Sequence, residues 1–211
     1  VLSLDESVAK DGIKGSNYIY RVGGSLYNAY MREYAGVDPN TGKALYYTDV
    51  TDADGNVSKV TTDVFGDAKQ YDLGSVLPKL YGGFGTSLRF YGFDLSAQFS
   101  FQLGGKYYDG SYQSLMHTQA SAGSAWHTDA LKAWTPDNRN TDVPRLDGDT
   151  SVGQSAVDRL LVSSNFLSVN NVTLGYTFPS KWMSKIKIAG LRVYVTGDNL
   201  GVVTARKGID P

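Results

Sequence analysis

The residues best equipped for catalysis gather in one segment, where Asp129, Asp137, Asp142, Asp147 and Asp149 accompany His117 and His127. Glycoside hydrolysis needs two carboxyl groups held at a fixed separation across the sugar. Nothing in this spacing fixes such a pair, and acids at this density also keep a long loop soluble. The two histidines stand ten apart, off any metal-ligand spacing. Asp52-Ala53-Asp54-Gly55-Asn56 has the alternating oxygen donors and the glycine of a calcium loop's start. Yet Val50 occupies the ligand position two residues ahead of Asp52, and no Glu follows at the twelfth position. A hairpin turn is the better reading. Ser121 to Ser124 lacks the pattern of a nucleophile elbow. Gly82-Gly83-Phe84-Gly85 has neither the Lys nor the following helix of a phosphate loop. With no cysteine, thiol nucleophiles, disulfides and Cys-ligated metals are excluded. The expectation is a chain without catalytic residues, metal or cofactor.

The composition points to architecture instead. Lys+Arg 20 against Asp+Glu 21 gives a net charge of −1, so no broad basic face argues for nucleic acid. Glu6 and Glu33 are the only glutamates, and the other acids are all Asp. Asp suits turns and Glu suits helices; Gly 24 and Tyr 15 push the same way, toward β structure. No run of 18 apolar residues exists, so no membrane helix is expected. That says nothing against a barrel, whose lipid face takes every second residue. Val1 to Glu6 has no signal-peptide pattern, so the chain is expected to be mature or a piece of something larger.

The positioning element is Phe93 to Leu103. Phe93, Leu95, Ala97, Phe99, Phe101 and Leu103 alternate with Asp94, Ser96, Gln98, Ser100 and Gln102. Alternate side chains of a strand lie on opposite faces, giving one apolar and one polar face. Strands of soluble proteins run about five or six residues. Unbroken alternation of this length matches the roughly 9–11 tilted residues that cross a bilayer in a barrel. We therefore expect a transmembrane strand with Phe93, Leu95, Phe99, Phe101 and Leu103 facing lipid. Asp94, Ser96, Gln98, Ser100 and Gln102 would then face the lumen.

Further strands are expected from about Gly24 to Gly36, from Ala44 to Val50 and from Leu80 to Tyr91. Two more are expected from Ser164 to Phe178 and from Ile186 to Thr196, with a bulge near Asn170-Asn171 and a register slip at Gly190. Residues 198–211 read as a loop. Asp38–Gly42, Tyr91-Gly92 and Pro179–Lys185 read as short turns. The connections at about 51–79 and 104–163 are long, with a short helix expected within Trp126–Trp134. Outer-membrane barrels pair short periplasmic turns with long extracellular loops, which orients Phe93 to Leu103 outward. A soluble sandwich, the rival reading, has no reason for that asymmetry. Tyr81, Tyr91, Tyr176 and Phe178 fit an interfacial girdle. Tyr107, Tyr108, Tyr112, Trp126 and Trp134 lie in the outside loop, where they either contact ligand or partner, or pack to order the loop.

Several motifs then agree. They are Pro78-Lys79-Leu80-Tyr81-Gly82-Gly83-Phe84 leading into Tyr91-Gly92-Phe93-Asp94-Leu95, and Phe166-Leu167 through Asn171-Val172-Thr173-Leu174-Gly175-Tyr176-Thr177-Phe178-Pro179. Leu191-Arg192-Val193-Tyr194-Val195-Thr196-Gly197-Asp198-Asn199-Leu200, Tyr34-Ala35-Gly36-Val37-Asp38-Pro39-Asn40-Thr41-Gly42 and the closing Gly208-Ile209-Asp210-Pro211 complete the set. Together they resemble the SusC/RagA family of TonB-linked outer-membrane proteins over roughly residues 24–211. The resemblance implies an all-β, antiparallel transmembrane β-barrel of about 22 strands with a plugged lumen in the bacterial outer membrane. It implies TonB as energy source, a SusD-like surface lipoprotein as partner, and a glycan or peptide as cargo. Residues 1–211 would be a C-terminal part of that barrel, with about six long strands and with the plug, the TonB box and the final strand absent. The alternatives are a passive porin-type barrel fragment and a soluble β-sandwich carbohydrate-binding module.

Overall fold

A computed structural model describes residues 1–116, 123–146 and 156–205. His117, Ser121, Asp147, Asp149 and the motif at 208–211 lie outside the described residues. The chain begins with α1 (Glu6–Ala9), β1 (Ile13–Lys14), β2 (Ile19–Tyr20), β3 (Asn28–Arg32), β4 (Tyr34–Val37), β5 (Ala44–Thr51), β6 (Val57–Thr62) and β7 (Gln70–Ser75). There follow β8 (Leu80–Phe90), β9 (Phe93–Leu103), β10 (Lys106–Tyr108), α2 (Gly110–Leu115), β11 (Leu161–Ser163), β12 (Phe166–Thr177), α3 (Ser180–Met183) and β13 (Arg192–Thr204). They form two compact units, residues 1–76 with 107–162, and residues 77–106 with 163 onward.

The second unit is one antiparallel sheet in the order β13-β12-β9-β8. Its strands are 11, 11, 12 and 13 residues long in chain order, twice the usual strand length. Tyr91 and Gly92 join β8 to β9 with φ of 46° and 88°. Both central residues are left-handed, as a two-residue hairpin needs if it is to match the strand twist. The ladder is continuous from Leu80 opposite Leu103 to Phe90 opposite Phe93. In β12 the register shifts between Val169 and Asn171, where the sequence breaks phase. This bulge puts odd-numbered Leu167 and Val169 on the same face as even-numbered Val172, Leu174 and Tyr176. Two expectations fail at β13. Residues 186–190, including Gly190, belong to the connection, and the strand runs through 198–204, which read as loop. Gly197-Asp198-Asn199 carries turn chemistry, yet Asn199 takes φ 50° inside a strand that stays paired up to Thr204.

The first unit is built otherwise. β3 buries Ala29, Tyr30 and Met31 consecutively, and consecutive burial is incompatible with a strand that divides lipid from water. The single strand expected at about 24–36 is two short ones, β3 and β4, whereas the strand expected at 44–50 is present as β5, eight residues long, with Ala44 and Tyr46 buried in a local core. One cluster packs Ala44, Tyr46, Ala68 and Val157 with Tyr34 and Phe65. Burial there pushes the Tyr46 phenol up to about 12. Another packs Tyr112, Met116, Ala130, Ala133, Val143 and Leu160. Asp109 caps α2 by accepting from the Tyr112 N–H at 2.8 Å. The helix expected near residues 126–134 is a single 3₁₀ stretch at Thr128–Lys132.

Asp38–Gly42 is a turn, but not one set across the membrane from residues 104–163. Trp134 donates through Nε1 to the Pro39 carbonyl at 3.2 Å, and Arg145 donates to the Gly42 carbonyl at 2.9 Å. A Cβ at Gly42 would stand 2.4 Å from the Trp134 ring. Asp52 binds its own hairpin, accepting from the Asp54 and Asn56 N–H groups at 3.0 and 2.8 Å. Hydrogen bonds from Asn56, backbone and side chain, hold its carboxyl below the usual range.

Asp129 ties the 3₁₀ stretch to α2, accepting from Lys132 at 2.7 Å and from the Tyr112 hydroxyl at 3.2 Å. The Lys132 hydrogen bond is the main cause of its lowered carboxyl pKa. A lowered folded-state pKa gives stability that is complete above the unfolded value of about 3.9 and is lost as pH falls through the folded value. Asp129→Asn is therefore expected to flatten the acid limb of this unit's melting, read by Trp126 and Trp134 fluorescence in a Trp182→Phe background from pH 7 down to about 2, below the unfolded value. An unchanged limb contradicts the assignment.

Candidate functional site

The candidate site is the two-faced sheet itself. Register places Leu80, Phe84, Leu88 and Phe90 of β8 opposite Leu103, Phe99, Leu95 and Phe93 of β9. Leu167, Val169, Val172, Leu174 and Tyr176 of β12 share that face, as do Val193, Val195 and Val203 of β13. Phe84 stacks on Phe99 with centroids 4.8 Å apart, a cross-strand aromatic pair. Phe93, Leu174 and Val195 are 53%, 51% and 73% exposed. An apolar surface this continuous is untenable in water and marks a partner or a membrane. The sandwich reading fails here, because it needs this face covered.

The opposite face carries Asp94, Ser96, Gln98, Ser100 and Gln102 on β9, with Gly175, Thr173, Asn171, Ser168 and Phe166 beside them on β12. Its polar groups satisfy one another across strands. Ser100 donates to Asn170 at 3.1 Å, Gln102 to Ser164 Oγ at 2.8 Å, and Asn171 to Asp198 at 2.7 Å. The Thr173 and Thr196 hydroxyls lie 2.8 Å apart.

At the end bearing the Tyr91-Gly92 turn, Arg192 of β13 reaches over β12 to Asp94 of β9. Nε donates to Oδ1 at 3.0 Å and Nη2 to Oδ2 at 2.5 Å, a two-pronged guanidinium–carboxylate pair. The residue it crosses is Gly175. A Cβ there would sit 2.6 Å from Arg192 Nη2 and 2.7 Å from both Asp94 oxygens. The sequence pattern does not show this bridge, since its partners are 98 residues apart. The glycine interrupting Leu174-Gly175-Tyr176 was the available signal: a missing side chain in a strand marks a close approach.

The loop aromatics divide. Tyr112 is 8% exposed inside its core, with no face to offer a ligand. Trp134 packs on Gly42, and Tyr108 donates to Gln113 at 2.7 Å. Tyr107 engages in contacts of its own, while Trp126 is 46% exposed and Leu131 89%. His127 accepts from the Asp129 N–H at 3.1 Å and lies edge-on to Tyr112. Among the girdle residues, Tyr91, Tyr176 and Phe178 cluster with Phe90 and Phe93 at the turn end. Tyr81 faces the polar side, opposite Gln102, which corrects its place in that girdle.

No family model matches the chain. TonB-dependent receptor P3 of Formosa agariphila is 29% identical over 209 residues, covering 92% of this chain and 19% of the receptor. TonB-dependent receptor SusC of Bacteroides thetaiotaomicron is 37% identical over 60 residues, 28% of this chain. The solved structure of the RagAB peptide transporter superposes with a TM-score of 0.72 at 33% identity, over 93% of this chain and 21% of the transporter chain. Along most of its length the chain is similar to SusC/RagA-type TonB-linked outer-membrane proteins. It spans about a fifth of the length of the relatives it matches along most of its own. Its location is the outer membrane, and its long antiparallel strands belong to a transmembrane β-barrel that the described residues do not close.

The ion pair and the glycine make a closed test. In the whole outer-membrane protein that carries this chain, Gly175→Ala should displace the Arg192–Asp94 pair and cost about 1 kcal/mol or less, because the groups it meets are side-chain ends that can move. In an Asp94→Ala background the cost should shrink, because the crowding is with that carboxylate and with the Arg192 guanidinium it holds in place. Heat-modifiable gel mobility measures both. Additive costs contradict the bridge.

Proposed function

We propose that this chain supplies pore wall and outside loop to an importer that draws on TonB for energy and moves oligosaccharides or peptides with a SusD-like lipoprotein. The carrying observation is the sheet of β8, β9, β12 and β13, polar on one face and apolar on the other, in a chain that aligns along most of its length with TonB-dependent receptors. Phe93, Leu95, Phe99, Phe101 and Leu103 meet lipid in this reading. Asp94, Ser96, Gln98, Ser100 and Gln102 meet water, cargo or plug. Alternate apolar and polar side chains on strands of about ten residues suit a bilayer outside and a wet interior. The connection leaving β9 at Leu103, the end away from the tight turn, forms part of an outside loop. Within it, exposed Trp126 and Leu131 offer the lipoprotein an apolar contact.

Import of this kind needs capture, plug movement and passage, and none of these requires a nucleophile or a metal. The described residues bring together no group of three or more His, Cys, Asp and Glu able to hold a metal ion. A passive porin would have the same sheet, but the names of the aligned relatives favour TonB coupling.

Growth on a defined nutrient tests the proposal. Disrupting the parent gene should abolish growth on an oligosaccharide or peptide mixture and spare growth on its monomers. Inactivating TonB should reproduce the loss, and the neighbouring surface lipoprotein should co-purify with the intact protein. Uptake that persists without TonB would favour the passive barrel and overturn the proposal.

A further inference from the structure

The connection from β12 to β13 combines features that the pore wall does not require. It carries Lys181, Lys185 and Lys187, and no Asp or Glu occurs anywhere from 159 to 197. All three lysines are exposed, and among the described residues no hydrogen bond or ion pair engages their ammonium groups. Between them stand Trp182 and Ile186, 55% and 57% exposed, with Ile188 also exposed. An exposed indole beside unpaired ammonium groups is the composition of a headgroup-level segment.

The connection is also rigid in a way that presents these groups. The Ile188 N–H donates to the Met183 carbonyl at 3.1 Å and the Lys187 N–H to the Ser184 carbonyl at 3.2 Å. That pair of bonds is a Schellman motif, and Lys187 holds its left-handed position with φ 58°. Glycine is the usual occupant of such a position, so a lysine there goes against the local backbone preference.

A groove of about 290 Å³ opens on the apolar face where this connection leaves and rejoins the sheet. Phe93, Leu174, Tyr176, Phe178, Val193 and Val195 line it, almost entirely with apolar atoms. Phe178 directly precedes Pro179 and the lysine turn, and Val193 stands just after the turn's return at Leu191. An apolar slot bounded by the two strands that a cationic turn joins has the layout of an amphiphile: chain below, anion above.

We propose that this corner is a docking site for an anionic phospholipid of the leaflet on the short-turn side. One acyl chain lies in the groove, and the phosphate is held by Lys181, Lys185 and Lys187. The charge complementarity is one-sided, because no acid in the connection competes for the lysines. The inference rests on the proposed lipid contact of the apolar face, and adds a preferred lipid and a fixed place for it.

The whole outer-membrane protein that carries this chain is reconstituted in phosphatidylcholine vesicles doped with phosphatidylglycerol, re-extracted, and its retained lipid counted by mass spectrometry. Phosphatidylglycerol should be enriched about threefold or more over its bulk fraction. The K181Q/K185Q/K187Q variant should bring it back to the bulk ratio. V195W, which fills the groove without changing charge, should do the same. Retained lipid at the bulk ratio in the unaltered protein overturns the proposal, as does enrichment that survives both variants. Heat-modifiable mobility is read alongside: a protein that never inserts contradicts the lipid-facing sheet, whereas one that inserts without lipid preference contradicts this site alone.

Discussion

Hydrocarbon leaves a backbone N–H or C=O no partner but another backbone group, and the long sheet is organised by that constraint. Every residue of β9 has a partner on β8, and nearly all have a second on β12. Once the ladder is closed in this way, the only freedom left is which side chains point where. The period of two then divides each strand into an apolar and a polar set. Where a strand departs from that period, the chain corrects it locally. The bulge between Val169 and Asn171 inserts one residue and returns the apolar set to its face. The bulge therefore preserves the division between the two faces.

The polar face has its own geometry. Most of its hydrogen bonds run across the strands, and the Asp94–Arg192 bridge spans three strands at once. That bridge exists because Gly175 has no side chain. Here the wall pairs a cation with an anion over a position that has no side chain. The same end of the sheet is closed by the positive-φ Tyr91-Gly92 turn and by the Schellman-capped lysine turn, so its two short connections are both conformationally defined.

The sequence was most readable where one physical rule acted alone. Phe93 to Leu103 obeys the strand period without exception, and its neighbour across Tyr91-Gly92 follows by local chain reversal. The bulge at 170–171 was visible as a phase break. Readability fell where local chemistry and tertiary context disagreed. Tyr27, Tyr30 and Tyr34 look like barrel aromatics, but β3 buries three residues in a row while it pairs with β7, a burial set by tertiary context rather than by strand period. Gly197-Asp198-Asn199 looks like a turn, but pairing with β12 carries the strand through it. Tyr112 and Trp126 are alike in composition and loop position. One became core and the other surface through contacts that a linear pattern does not encode.

The account stands on the assignment of β9's two faces to lipid and water. Single cysteines from position 93 to 103 of the intact protein, placed in lipid bilayers, would each carry a nitroxide label. The chain itself has no native cysteine to interfere. Relaxation by oxygen, which partitions into lipid, and by a water-soluble nickel chelate reports the surroundings of each label. The prediction is a strict alternation: odd positions relaxed by oxygen, even positions by nickel, across the whole strand. Nickel access at Leu95, Phe99 and Phe101 equal to that at Ser96, Gln98 and Ser100 would contradict it.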